Sequence, residues 1–157
     1  MGLGPFSIIS LIYVVIGIRS VSRLINRWSS VWDRRFTLQD RQLVDEAAFF
    51  VLVPVSVALH ELGHAIAIWS FGREVVDFGF YGFAGYVSFI PFGLSDVQLF
   101  VIAAAGTFVN LILSVGAIAI VFLRPFRAAI NELLIQFAIV SGANAFIVYP
   151  LLDLASG

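Results

Sequence analysis

His60, Glu61 and His64 are spaced as H-E-x-x-H, the arrangement in this chain that most plainly suggests chemistry. On a helix, positions four apart lie about 40° apart around the axis and one turn along it, so both imidazoles face the same way. Two ring nitrogens can then approach to about 2 Å from one tetrahedral ion. Glu61 projects beside them, where a carboxylate can take a proton from an attacking water and pass it to a leaving amine. His60 and His64 are the only histidines in the chain, and cysteine is absent. Any metal must therefore be held by imidazole and carboxylate, a donor set that suits zinc in a catalytic site.

Three fixed positions are a weak match in a water-soluble protein, where they recur by chance. The surroundings strengthen it here. His60, Glu61 and His64 sit in the middle of an apolar run, and ionisable groups at membrane depth cost several kcal/mol unless paired, metal-bound or facing a cavity. A catalytic zinc wants a third protein ligand and one open position. Outside the motif the candidates are Asp153, Glu132 and Asp96. Glu132 follows Arg124 and Arg127 at the start of a span and reads as an interfacial residue. Asp96 follows Ser95, which reads as a helix N-cap. Asp153 ends an apolar run just after Tyr149-Pro150 loosens the helix, and it is the best third ligand by position.

The elements that must position these residues follow from composition. The chain is 61% hydrophobic and only 12% charged, with mean hydropathy +1.01. A soluble domain carries about a quarter charged residues, so this chain lacks the means to cover a water-facing surface. Net charge is −1, which gives no global field for nucleic acid, and every basic residue is Arg. A multi-pass membrane protein is expected. Residues 46–71, 97–123 and 130–152 each exceed the roughly 20 residues that cross about 30 Å of hydrocarbon. Residues 5–18 are shorter and reach that length only if Arg19 and Arg23 snorkel to the interface. With no basic stretch before it and no small-residue cleavage site after it, this segment reads as a retained anchor.

Between the spans two segments differ in kind. In 19–45 Arg19, Arg23 and Arg27 recur every four residues among Trp28 and Trp32, a basic amphipathic pattern for the membrane surface or else a solvated connector. In 73–93 aromatic and β-branched residues alternate with Gly79, Gly82 and Gly85, which points to a short β-hairpin or re-entrant segment after the second span. Irregular backbone at membrane depth needs protein or a water-filled cavity around it, so this segment should lie near a polar site. The expected fold class is thus an all-α membrane protein of about four transmembrane helices with that hairpin. Residues 1–45 form an anchor and connector, and 46–157 form the core.

On these residues the chain resembles the site-2 protease family of intramembrane zinc metalloproteases. His60 to His64 match the family's first motif within a membrane helix. Asn144, Pro150, Leu152 and Asp153 stand in the order of its later motif, and Ala105 to Asn110 resembles the small-residue motif of its intervening helix. The departures are Ile147, where the family commonly has Pro, and Leu154, where Gly usually follows the Asp. The resemblance implies Zn2+ held by His60, His64 and Asp153, Glu61 as catalytic base, and Asn144 holding the substrate backbone or oxyanion. Asn144 reads equally well as making an interhelical amide hydrogen bond, and Gly106 and Asn110 read as serving close helix packing. The expected activity is hydrolysis of peptide bonds in membrane-embedded or juxtamembrane substrates. The partners are then a membrane protein or peptide and the lipid bilayer, with no nucleic acid. An inactive zinc-binding scaffold or regulator is the alternative, and a metal transporter a more distant one.

Overall fold

The structure is a computed structural model, and it describes residues 5–33, 35–124 and 126–151. Elements run in the order α1 (Pro5–Asn26), α2 (Trp28–Val31), α3 (Leu38–Ser70), β1 (Val75–Phe80), β2 (Gly85–Phe89), α4 (Asp96–Leu123) and α5 (Ala128–Ala143). A π-helical turn over Asn144–Val148 carries α5 onward. Among the described residues four helices are long and apolar enough to cross a membrane: Ser7–Asn26, Leu38–Ser70, Asp96–Leu123 and Ala128–Leu151. The expected fold class holds, with a two-stranded antiparallel hairpin after the second of these long helices.

Helix boundaries moved where charge had masked helix. α1 continues through Arg19 and Arg23 because α3 supplies their end with a carboxylate: Glu46 accepts from Ser20 Oγ at 2.7 Å and pairs with Arg23. The connector is correspondingly shorter than 19–45. α3 begins at Leu38 rather than near 46, since Thr37 and Asp40 form a capping box that satisfies the first free N–H groups. Its leading turns carry Asp40, Arg41 and Asp45, which made them look unlike a span. Ser95 caps α4 through Gln98, in keeping with its place before Asp96.

α3 is the central element and touches α1, α4, α5 and both strands. Many of the buried side chains are small or polar, Ser56, His60, Asn110 and Ser141 among them, while large apolar residues such as Phe100, Phe108 and Ile112 face outward. That inversion suits helices packed in lipid, where close contact and interhelical hydrogen bonds replace hydrophobic burial. α3 and α4 cross closely at Gly63. A Cβ there would lie 2.8 Å from Val109 Cγ2 and 3.2 Å from Gly106 Cα, so only glycine lets the two backbones come this near.

In the hairpin Phe78 pairs with Val87 and Gly79 with Tyr86, with an irregularity between Val75 and Asp77. The Tyr86 ring lies across Gly79, where any Cβ would overlap it at 2.1 Å. Gly82 closes the turn at φ +85°, and Ser10 of α1 donates to the Tyr81 carbonyl at 2.8 Å. The hairpin therefore rests on helices, as so small a sheet must.

Candidate metal centre

The last turns of α3 place His60, Glu61 and His64 under the hairpin and against α4. His60 is 1% exposed and Glu61 2% exposed, while His64 is half-buried. The two imidazoles meet edge to face with their Nε2 atoms 3.0 Å apart. Two nitrogens at about 2.0–2.1 Å from a tetrahedral ion would stand roughly 3.3 Å apart, so the pair already has close to the required bite.

The other ring nitrogens are tied to α4. His64 Nδ1–H donates to the Ile102 carbonyl at 2.6 Å, which leaves Nε2 with its lone pair directed away from that bond. His60 Nδ1 faces the Asn110 side-chain amide at 3.1 Å. Between these contacts lies Gly106, where a Cβ would fall 2.5 Å from both Nε2 atoms. α4 thus gives the histidines two polar partners and one empty face, the usual way a protein orients imidazole ligands from behind.

Glu61 is held from the opposite side. Tyr149 Oη donates to Glu61 Oε1 at 2.9 Å, and the Tyr149 ring stacks on His60 with centroids 3.4 Å apart and planes 13° apart. Gly85, at the start of β2, backs the same carboxylate: a Cβ there would meet Glu61 Cγ at 2.8 Å. Pro150 contributes by lacking an N–H for the Phe146 carbonyl. The ladder around it widens so that Tyr149 N–H donates to the Asn144 carbonyl five residues back. That widened turn carries Tyr149 to the site.

A cavity of about 580 Å³ opens on this group between β2 and α4, lined by Glu61, His64, Tyr149, Val87, Leu99 and Ile102. Its wall is mostly apolar, with Glu61, His64 and Tyr149 among its polar lining.

Of the expected site residues, His60, Glu61 and His64 come together. Asn144 lies behind the site, where its Nδ2 donates to Ser56 Oγ at 3.0 Å, one helical turn before His60. Asp153 lies outside the described residues. Among the described residues no set of three or more His, Asp or Glu side chains converges on one metal position. Glu132 accepts from Arg41 Nε at 3.1 Å, and Arg41 precedes His60 by about 28 Å of helix, which removes Glu132 from the site. Asp96 is exposed in the first turn of α4. The donor set fits zinc: two imidazoles, oriented from behind, beside a carboxylate that can serve as base.

Sequence reasoning missed Tyr149, whose signal was its place four positions before Asp153 in the sequence, and gave Asn110 only a packing role. Asn110 is an amide in a long apolar helix, and such a group needs a partner. Compared with protein-family models, curated proteins and solved structures, the chain matches none.

Proposed function

We propose that this chain is an intramembrane zinc endopeptidase of the site-2 protease type, cutting membrane-embedded or juxtamembrane peptides. The observation that carries the reading is the paired Nε2 atoms at 3.0 Å, each imidazole anchored through Nδ1 to α4, with Glu61 beside them on the cleft. His60 and His64 would hold the ion, with Asp153 as the proposed third ligand. What a bound zinc supplies is Lewis-acid charge that makes water nucleophilic near neutral pH.

The chain's own residues account for the remaining steps. Tyr149 engages Glu61 Oε1 and leaves Oε2 to accept the proton of the attacking water, which Glu61 then passes to the leaving amine. β2 pairs with β1 along one edge, and its residues line the cleft with α4. An extended substrate can add to the unpaired edge there, presenting its carbonyl towards His64 and Glu61 while apolar side chains meet Val87, Leu99 and Ile102. A helical substrate has its backbone groups already bonded, so local unwinding precedes this step.

The test pairs metal analysis of purified protein with cleavage of a candidate membrane peptide. Glu61→Gln should keep zinc and lose about 100-fold or more of the cleavage rate, because an amide cannot accept the proton. His64→Ala should lose both. Zinc uptake by a wild type that cuts no membrane peptide would favour the scaffold reading. Undiminished cleavage by the Gln variant would remove Glu61 from the mechanism.

A further inference from the structure

Behind His60 lies a buried polar relay that the proposed reaction does not use. Asn110, fully buried, faces His60 Nδ1 at 3.1 Å with its Nδ2 and accepts from Ser56 Oγ at 3.2 Å with its Oδ1. Ser56 Oγ in turn receives Asn144 Nδ2 at 3.0 Å and lies 3.4 Å from Ser141 Oγ. The relay links α3, α4, α5 and the π-helical turn.

Counting donors shows what this relay does. With Nδ2 of Asn110 donating to His60 Nδ1, the His60 proton sits on Nε2 and donates to His64 Nε2 at 3.0 Å, while His64 donates from Nδ1 to Ile102. Every nitrogen of the pair is satisfied, but His60 has no lone pair on Nε2 for a metal. To ligate through Nε2, His60 must carry its proton on Nδ1, which then needs an acceptor. Turning the Asn110 amide over supplies one. Oδ1 then accepts from Nδ1–H, and Nδ2 donates to Ser56. Ser56 has two lone pairs and one proton, so it can accept from both Asn110 and Asn144 and swing its own proton to Ser141. No group in the relay is left unpaired in either arrangement.

We propose that Asn110 is the positioning residue for His60, an amide that turns over with the ring's tautomer, with the Ser56 and Ser141 hydroxyls absorbing the change. This rests on the metal-binding reading above. Asparagine suits the position because it offers a donor for the metal-free ring and an acceptor for the loaded one. Aspartate offers only the acceptor, and leucine offers neither.

The experiment compares wild type, Asn110→Asp and Asn110→Leu in detergent or nanodiscs by two readouts. The first is zinc affinity by chelator competition. Asn110→Leu should bind about 10- to 100-fold more weakly, the usual effect of removing an outer partner of a ligand, whereas Asn110→Asp should stay within about threefold of wild type or exceed it. The second is the 15N spectrum of the imidazoles without metal. Wild type should show the His60 proton on Nε2, and Asn110→Asp should show it on Nδ1. Leucine-variant affinity equal to wild type would overturn the proposal, as would identical His60 tautomers in wild type and Asn110→Asp. Because aspartate keeps the volume of asparagine, the second readout remains decisive if the leucine variant does not fold. A wild type that takes up no zinc would defeat the zinc endopeptidase reading, while the tautomer measurement would still judge Asn110.

Discussion

α3 joins two clusters of ionisable side chains that solve the same problem in opposite ways. At its first turns Arg41 contacts both Asp45 and Glu132, and Arg23 pairs with Glu46 from α1. Both arginines there are about half exposed, at 47% and 52%. This end also receives the α4–α5 connection, where the Arg127 guanidinium lies 5.7 Å over the Trp32 ring. Nearer the other end, His60 and Glu61 are almost wholly buried, and their partners are neutral: an amide, a phenol and a backbone carbonyl near His64. At the first end charges meet charges, and the arginines of the pairs stay available to solvent while Glu132 is buried beneath Arg41. Groups held by neutral dipoles keep their own chemistry, which is what a ligand or a base requires. The site end is therefore costly to build and sensitive to small changes, and the charged end, whose arginines reach solvent, is less so.

The strongest way to break this comparison is to fill the empty face of α4. Gly106→Val would drive a side chain into both Nε2 atoms, where even a Cβ falls at 2.5 Å. Overpacking of this kind costs about 1–3 kcal/mol, or roughly 5- to 150-fold in zinc affinity at about 1.4 kcal/mol per tenfold. Chelator competition measures it, and unchanged affinity would show that Gly106 serves backbone packing alone. Next in size, Tyr149→Phe keeps the ring on His60 and removes the hydrogen bond to Glu61. A loss of about 1 kcal/mol, near fivefold in kcat with KM little changed, is expected from steady-state kinetics. A larger rise in KM than fall in kcat would place Tyr149 on the substrate instead.

Smaller effects belong to the charged end. Arg41→Ala should lower thermal stability by about 1 kcal/mol, because Arg41 is itself half exposed but its removal leaves the buried Glu132 without a cation, and should leave cleavage unchanged. Scanning calorimetry and the peptide assay together check this, and lost cleavage would mean that the two ends are coupled through α3. Smallest of all, raising salt from about 0.1 to 1 M shortens the screening length from about 10 to 3 Å. The stability difference between wild type and Arg41→Ala should then shrink, while zinc affinity stays nearly constant.

The comparison also separates what was legible from what was not. H-E-x-x-H at helical spacing inside an apolar run fixed which side chains converge, because four residues make one turn whatever surrounds them. The glycine-aromatic alternation over 73–93 located the hairpin for a similar local reason. Boundaries at the charged end were misjudged because Arg23 and Arg41 look unlike a span until Glu46 and Glu132 are seen across from them.

Composition and helical period are local properties, and they were enough to give the apolar, membrane-length helices, the paired imidazoles and the carboxylate beside them. Only the tertiary structure decided what stands behind and above those residues. Asn110 lies 50 positions from His60, and Tyr149 lies 88 from Glu61. No periodicity links residues so far apart. Gly63 lets α4 approach, and the widened turn before Pro150 delivers Tyr149. Which amide meets which ring nitrogen is set by how four helices cross, and that is a property of their packing rather than of any one of them.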